Sequence, residues 1–307
     1  MRIDPDIPRD TALHYVERIN RAIDYIVQHL EEPLQLSVIA KVAAISPFHF
    51  HRIFRLLLGE TLNQFVKRLR LERALWMLSH QRQRSLTAVA VACGFESLSD
   101  FSRSFKQRYG VAPSSFNLKS HREQKRRELE AAAQVTDGGH RLTQLPVSGN
   151  QDSFEVRLRP LPARCVAYIR VADSFRPGAV EAAAKRLVAW AEQRNLADGQ
   201  WLGYMWDDPE IVALKDCRYD IAVEVPDVRP DGEVGRFEFP AMTVAEIEIR
   251  GGVELEMRAM NWLFGVWLPK SGYVPMEQPF FEAMIGRPFQ HGNEYFELYT
   301  QIPVERG

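Results

Sequence analysis

The chain contains 307 residues, a length that allows two domains, each with its own buried core. Its 39 Lys and Arg residues almost balance its 40 Asp and Glu residues, so the formal net charge is −1. No stretch approaches the roughly 18 consecutive apolar residues of a membrane helix, and the N-terminal sequence MRIDPDIPRD has no apolar core, so we expect neither a membrane span nor a signal peptide.

The charge is divided unequally between the two halves of the chain. Residues 1–150 contain 22 Lys and Arg against 15 Asp and Glu, a net charge of +7, whereas residues 151–307 contain 17 against 25, a net charge of −8. The basic residues concentrate between Ser46 and Arg127, where 16 Lys and Arg face 5 Asp and Glu. This asymmetry favours a polyanion-binding first half over an ordinary solvated surface.

The first half is predicted to be entirely helical. Apolar residues recur at helical spacing over residues 13–30, and Pro33 ends that helix. Further helices are predicted over residues 36–44, 47–58, 63–79, 86–93 and 98–109.

Local capping signals define two of these helices. Ser46 is a predicted N-cap followed by Pro47 at the first helical position, and Gly59 ends the same helix. Ser97 and Gly110 play the same parts for the helix over residues 98–109.

Residues 45–66 and 94–116 therefore follow one plan: a turn, a Ser, a helix with Phe on one face, and a closing Gly. Arg52 and Arg103 hold matching places on the other face, 51 residues apart. This plan is that of a helix-turn-helix unit, whose second helix can enter a major groove of DNA. Most surface arginines do nothing specific, but the recurrence at equivalent places favours a functional role.

The candidate base-reading side chains are those that the buried Phe face leaves exposed. Arg can bind guanine through two hydrogen bonds, and His can donate or accept. The candidates are Phe48, His51 and Arg52 in the first unit, and Ser99, Ser102, Arg103 and Lys106 in the second.

Residues 14–117 resemble the DNA-binding domain of the AraC/XylS family of bacterial transcription regulators. The segment GFESLSDFSRSFKQRYGVAPSSF matches the second unit of that family nearly residue for residue. The resemblance implies two helix-turn-helix units joined by a long helix, double-stranded promoter DNA as a partner, and contact with RNA polymerase. It implies base contacts from Phe48, His51 and Arg52, and from Ser99, Ser102 and Arg103.

The segment after this domain changes in composition. Residues 118–134 are rich in charge and Ala and are predicted to extend as an exposed helix, whereas residues 135–152 contain the Gly, Pro and Asn of a linker. We therefore divide the chain into a DNA-binding domain at 10–117, a connecting segment at 118–152 and a second domain at 153–307.

The second domain is predicted to be α+β, with one mostly antiparallel sheet. The order strand, strand, helix, strand, strand occurs twice, as a repetition of architecture without similarity of sequence. The first set covers residues 154–161, 164–171, 178–194, 201–206 and 218–225. The second covers residues 236–240, 243–249, 255–268, 279–285 and 295–302.

Glu297 stands out in the second domain, because it lies mid-strand between Phe296 and Leu298 and on the same face as Tyr295 and Tyr299. A solvent-facing Glu297 is the ordinary alternative. For most of the aromatic residues of this half, an ordinary core is the expected role.

Residues 154–303 resemble the GyrI-like effector-binding domain. The matching segments are FEVRLRPLPARCVAYIRV, WLGYMWDDPE, CRYDIAVEVP and YFELYTQIPV. The resemblance implies a duplicated strand–helix–strand–strand fold and a pocket for a small, cationic or aromatic effector, with the acidic residue of the pocket at Glu297. A carboxylate with aromatic walls suits a lipophilic cation. The candidate effector-binding residues are Glu297, Tyr168, Trp206, Tyr273, Phe281 and Tyr299.

Two other functions stay open for this domain. Some GyrI-like domains resemble small-molecule hydrolases, in which Glu297 and Tyr168 would be the acid–base candidates. Alternatively, the net charge of −8 suits a module that binds basic protein surfaces.

Cys93, Cys165 and Cys217 lie far apart and have no metal-ligand spacing. We therefore expect reduced thiols in a cytoplasmic protein, with no metal and no cofactor. The sequence as a whole predicts a multidomain DNA-binding regulator, not an enzyme, with promoter DNA, a small effector and RNA polymerase as partners and no membrane.

Overall fold

The computed structural model describes residues 9–80, 84–134 and 153–307, which form two compact units, one of helices and one built on a sheet. The predicted linker at 135–152 lies outside the described residues. None of the helices within the described ranges is both long and apolar enough to cross a membrane.

The helical unit confirms the all-helical prediction. Its helices are α1 (Arg9–Gln28), α2 (Leu36–Val42), α3 (Pro47–Leu58), α4 (Leu62–His80), α5 (Leu86–Ala92) and α6 (Leu98–Tyr109), followed by a 3-10 turn at Pro113–Ser115. Helix α7 (Leu118–Gln134) follows in sequence.

The predicted caps start and end α3 and α6. The Ser46 hydroxyl accepts the backbone N–H of His49 at 3.5 Å, and the Ser97 hydroxyl accepts that of Asp100 at 3.1 Å. Gly59 and Gly110 end the two helices in the left-handed conformation, with φ of 77° and 80°. These short-range signals explain why both helices were predicted with the correct ends.

Phe side chains form much of the core of this unit. Phe50, Phe54 and Phe65 are almost completely buried, and their ring centroids lie 5.3 Å apart for Phe50 and Phe54 and 5.4 Å apart for Phe54 and Phe65. Helix α3 is therefore held by aromatic packing on one face, which leaves its other face available.

Over residues 153–307 the sheet unit has nine strands and three α-helices. They are β1 (Arg157–Leu161), β2 (Arg164–Ala172), α8 (Ala179–Glu192), β3 (Trp201–Met205), β4 (Arg218–Val225), β5 (Gly235–Phe239), β6 (Met242–Gly251), α9 (Val253–Trp262), α10 (Leu268–Ser271), β7 (Tyr273–Pro275), β8 (Phe280–Met284) and β9 (Phe296–Arg306).

The order of strands across the sheet is β1-β6-β9-β8-β3-β4-β2-β5, and β7 pairs with β9. The registered pairs are antiparallel, with β3 and β8 at the centre. The order β2-β4-β3 on one side of this centre matches β6-β9-β8 on the other, as the predicted repetition requires. The duplication of the fold itself stays a prediction.

The two outermost strands are exchanged between the halves of the sheet. Strand β1 precedes β2 in sequence but pairs with β6, and β5 precedes β6 but pairs with β2. Each half of the sheet is therefore completed by a strand from the other half.

The two faces of the sheet have different cores. Helix α8 packs on β2 and β4, and α9 packs on β6 and β9. The opposite face carries an aromatic cluster around Tyr168, Tyr204, Phe239 and Phe281, all of which are almost completely buried.

The helix predicted over residues 255–268 is interrupted. Residues Leu263–Trp267 form a π-helical segment between α9 and α10. Pro269 follows closely and has no backbone N–H for the regular helical ladder, so a wider turn before it is physically reasonable. The periodicity of the sequence predicted the helix but not this break.

Candidate nucleic-acid interface and effector site

Helix α3 presents its predicted base-reading side chains at the surface. Phe50 and Phe54 are completely buried, whereas Phe48 is 71% exposed. His51 and Arg52 are also exposed. The structure thus places all three candidates of the first unit on the side of α3 that faces away from the core.

Helix α6 repeats this arrangement. Phe101 and Phe105 are completely buried, and the Arg103 side chain is 78% exposed. Arg103 donates to Asp100 of the same helix at 2.9 Å, a surface contact that is weak and readily exchanged for another partner. Of the other candidates, Ser99 and Lys106 are exposed and Ser102 is half-buried.

The two units differ at the left-handed residue that follows their first helix. Gly94 precedes α6 with φ of 80°, and Ala44 holds the corresponding place before α3 with φ of 51°. A Cβ atom at Gly94 would lie 2.6 Å from the Leu30 carbonyl oxygen and 2.9 Å from Cζ of Arg70. The second turn therefore requires Gly, whereas the first accepts Ala in a conformation that costs it energy.

The sheet unit contains a cavity of about 50 Å³ near the end of β8. Its walls combine carboxylates with aromatic rings and a few basic and polar side chains. The lining residues are Tyr219, Glu282, Met284, Ile285, Arg287, Phe289, Gln290, His291, Tyr295, Phe296, Glu297 and Leu298.

Phe289 takes part in an unusual backbone conformation at this cavity. Its φ is 57°, a value that bulky residues rarely adopt, and its carbonyl accepts the N–H of Gly292 at 3.0 Å. Such strained residues occur where a binding site fixes a side chain in place. The Phe289 ring lies 6.3 Å from that of Phe296, so two aromatic rings share one wall.

Glu282 lines the cavity and is held by Tyr219. The Tyr219 hydroxyl donates to Glu282 Oε2 at 2.5 Å. Gly203, the register partner of Glu282 on β3, makes this contact possible, because a Cβ there would lie 1.7 Å from the Tyr219 oxygen and 2.8 Å from Glu282 Oε2.

Burial controls the ionisation of this pair. Desolvation raises the pKa of the Glu282 carboxyl, and the hydrogen bond from Tyr219 lowers it by a smaller amount. Desolvation, together with the nearby Glu282 charge, raises the pKa of Tyr219 well above its usual value. Tyr219 therefore remains a hydrogen-bond donor near neutral pH.

Glu297 also lines the cavity, but its charge is already balanced. Glu297 Oε1 accepts a hydrogen bond from Arg250 at 3.0 Å and one from the Tyr295 hydroxyl at 3.3 Å, and Oε2 lies 3.9 Å from His291 Nε2. The side chain is 20% exposed, so it is not a surface group in bulk water.

The five aromatic residues predicted to accompany Glu297 do not line this cavity. Four belong to the aromatic cluster on the face of the sheet opposite α8 and α9, and Tyr273 stacks with Trp267 at a centroid distance of 6.1 Å. The four are Tyr168, Trp206, Phe281 and Tyr299. Tyr168 is completely buried and does not line the cavity, and its pairing with Glu297 stays a prediction.

Arginine side chains of the chain itself already lie over the faces of two of these rings. The Arg164 guanidinium lies 4.5 Å from the centroid of Phe281, and that of Arg170 lies 5.0 Å from the centroid of Tyr168. Arg170 also forms a bidentate pair with buried Asp220, at 2.9 and 2.7 Å. The aromatic cluster is thus a packed core with internal cation–π contacts.

Glu282 was missed as a candidate in the sequence. Its segment, FFEAM, reads as an ordinary strand, and the available signal was a single charge on the same face as Phe280 and Met284. A charge enclosed in this way within a strand is rare unless it is paired or functional. The strand pairing that brings Tyr219 to it is not visible in the sequence.

Two family models match the chain. Residues 39–119 match a helix-turn-helix domain, and residues 154–305 match the GyrI-like small molecule binding domain. The DNA gyrase inhibitor of Serratia proteamaculans is 30% identical over 157 residues, which cover 50% of this chain and 99% of that protein.

Two regulators resemble the helical unit. The regulatory protein SoxS of Salmonella typhimurium is 30% identical over 98 residues, which cover 32% of this chain and 91% of that protein. The Probable transcriptional regulator LumQ of Photobacterium leiognathi is 36% identical over 105 residues, which cover 34% of this chain but only 42% of that protein. The chain thus spans less than half the length of LumQ. It belongs to the GyrI-like family through its sheet unit, and its helical unit is a helix-turn-helix domain of the AraC type.

Proposed function

We propose that this protein is a transcription regulator that reads double-stranded promoter DNA with α3 and α6 and senses a small cationic effector in its sheet unit. The observation that supports DNA reading is the recurrence of one surface: a capped helix with a buried Phe face and an exposed Arg at the same place. We place the DNA-binding domain at 10–117, the connecting segment at 118–152 and the effector domain at 153–307. Contact with RNA polymerase stays a prediction from the resemblance.

The arrangement predicts the shape of the DNA site. Two recognition helices on one chain are expected to enter successive major grooves, about 34 Å apart, so the site should be asymmetric and about 20 base pairs long. Selection of bound duplexes from a random pool with the full chain, followed by footprinting, measures both properties. A palindromic site would contradict recognition by a single chain.

We infer a cationic effector from the cavity. Two carboxyl groups, Glu282 and Glu297, line it together with the rings of Phe289, Tyr295 and Phe296. Carboxylates and aromatic faces together favour a cation over a neutral molecule of the same shape. Since Arg250 already balances Glu297, Glu282 is the carboxyl that we expect to meet the effector charge.

Choline and its neutral carbon isostere, 3,3-dimethylbutan-1-ol, have nearly the same shape, but only choline is charged. The difference between their affinities therefore reports the contribution of the charge. We expect Glu282→Gln to weaken choline binding by ~1–2 kcal/mol and to leave binding of the alcohol nearly unchanged. Glu297→Gln should cost less, because Glu297 is already engaged by Arg250, and Arg250 keeps Glu248 as a partner after the replacement. Calorimetry on the full chain measures the six affinities, of the parent and the two variants for each ligand.

Glu155→Gln is the matched control, since it removes one charge from an exposed carboxylate of the same unit. Equal losses of both ligands in Glu282→Gln would show that the cavity senses shape alone. A larger loss in Glu297→Gln than in Glu282→Gln would assign the effector charge to Glu297 instead.

A further inference from the structure

The Glu282 carboxyl offers an effector one oxygen rather than two. The Tyr219 hydroxyl donates to Oε2 at 2.5 Å, and both side chains line the cavity. Within the described ranges, this hydroxyl is the only hydrogen-bond donor to Glu282, and no Lys, Arg or His forms an ion pair with it. Oε1 is therefore the oxygen that remains for a ligand.

The Tyr219 hydroxyl is fixed in this place. The side chain is 6% exposed, and its oxygen lies over Gly203, where a Cβ would be 1.7 Å away. In the part of the chain that the structure describes, Glu282 is the only hydrogen-bond partner of this hydroxyl. A ligand that took Oε2 would leave a buried hydroxyl without a partner, and this loss would offset the gain of the new hydrogen bond.

The other side-chain acceptors at the cavity are engaged as well. Glu297 Oε1 accepts hydrogen bonds from Arg250 and from the Tyr295 hydroxyl. Arg250 also places a positive charge at this carboxyl, so a second cation gains little from it. Gln290 Oε1 accepts the backbone N–H of Arg287 at 3.1 Å.

Backbone carbonyls at the cavity are used in the same way. The carbonyl of Met284 accepts a hydrogen bond from Gln200 Nε2 at 2.7 Å, and that of Ile285 accepts one from Gln290 Nε2 at 3.0 Å. A cation with several N–H groups would therefore bring more donors into the cavity than the open acceptors can satisfy.

Cations differ in the number of acceptors that they need. A guanidinium carries five N–H donors and binds a carboxylate best through both oxygens. Each donor that is buried without an acceptor weakens binding by about tenfold or more. A quaternary ammonium has no N–H donor, and its methyl groups can pack against aromatic rings such as those of Phe289 and Phe296.

We propose that Tyr219 is a specificity-determining residue, which withholds one oxygen of Glu282 and so selects quaternary ammonium effectors over guanidinium effectors. The inference rests on the proposed cationic effector. The charge of Glu282 attracts both classes of cation, and the engaged oxygen discriminates between them.

Choline and 2-guanidinoethanol test the proposal. Both carry a hydroxyethyl group and a full positive charge at neutral pH, but only the guanidinium has N–H donors. Calorimetry on the full chain, with both ligands at the same pH, measures the two affinities. We expect the parent to bind choline more tightly than 2-guanidinoethanol by about tenfold or more. This comparison uses the parent protein and does not depend on how any variant folds.

Tyr219→Phe frees Oε2 and vacates the space of one oxygen atom, which an N–H group of a guanidinium can fill. The preference for choline should therefore fall by about tenfold. The hydrogen bond from Tyr219 lowers the pKa of Glu282, so its loss weakens both cations alike and cancels in the ratio of their affinities. Tyr25→Phe, which removes a hydroxyl from α1 of the helical unit, is the matched control and should leave the ratio unchanged.

The possible outcomes separate the inference from the proposed function. A preference for choline that is the same in Tyr219→Phe as in the parent would overturn the selective role of the hydroxyl. Binding of 2-guanidinoethanol by the parent as tightly as choline would overturn it too. If both cations then bound more tightly than 3,3-dimethylbutan-1-ol, the cationic site would stand. If neither cation binds more tightly than that alcohol, the proposed effector class is wrong and the inference falls with it.

Discussion

Replacement of both Arg52 and Arg103 by Ala should abolish most of the sequence preference of this protein while leaving its salt-sensitive attraction to DNA. Both side chains project from the exposed faces of capped helices, α3 and α6, whose other faces are locked by buried Phe residues. An Arg that binds a guanine edge contributes ~1–3 kcal/mol of discrimination, so each single replacement should cost that amount at the cognate site. Contacts to phosphates are spread over other basic residues and should survive the replacements.

Binding measurements over a range of salt concentrations test this effect. They compare the parent, both single variants and the double variant on the selected duplex and on a scrambled duplex. Arg157→Ala is the charge-matched control, because Arg157 is exposed on the sheet unit. Binding of the double variant to the cognate site at the strength of the parent would remove both arginines from the recognition surface.

Gly94→Ala should destabilise the helical unit by ~3 kcal/mol, the sum of a backbone strain and a steric clash. The φ of 80° disfavours any residue with a Cβ, and the new Cβ would meet the Leu30 carbonyl oxygen at 2.6 Å. That oxygen belongs to the backbone and already accepts a hydrogen bond from Arg70 Nε at 2.9 Å, so it has little freedom to move.

The corresponding position of the first unit gives the opposite expectation. Ala44 already has a φ of 51° and its side chain is exposed, so Ala44→Gly should relieve strain and stabilise the unit by ~1 kcal/mol. Its backbone carbonyl, which accepts Arg18 Nη1 at 2.8 Å, is retained. Urea unfolding of both variants measures the two changes. Equal stability of Gly94→Ala and the parent would show that the turn is more adaptable than its geometry indicates.

The helical unit could be predicted almost completely, because its signals are local. The hydroxyls of Ser46 and Ser97 each accept a hydrogen bond from the backbone N–H three residues later, and Gly59 and Gly110 end the same two helices. Phe at helical spacing then distinguishes the buried face from the face that can read DNA. The strands were predicted for the same reason, since alternation along a strand is local as well.

The effector site depended on contacts that no short segment encodes. Glu282, Tyr219 and Gly203 meet only because β8, β3 and β4 are neighbours at the centre of the sheet. Glu297 could be singled out within its own strand, but Arg250, which balances it, lies on a different strand. The alternation of side chains along a strand shows which residues share a face of the sheet. It does not show which of the two faces packs against the helices.

The exchange of β1 and β5 has a consequence for the folding rate. Strand β1 can pair only after β6 has been synthesised, because Arg157 pairs with Glu246. The central pair β3–β8 can form only when nearly all of the sheet unit has been synthesised. Such high contact order slows folding, whereas the helical unit is built from near neighbours in sequence and should fold fast. During synthesis the N-terminal half should therefore be folded while the sheet is still incomplete. Nascent chains would then acquire a competent helix-turn-helix unit before they acquire a sensor.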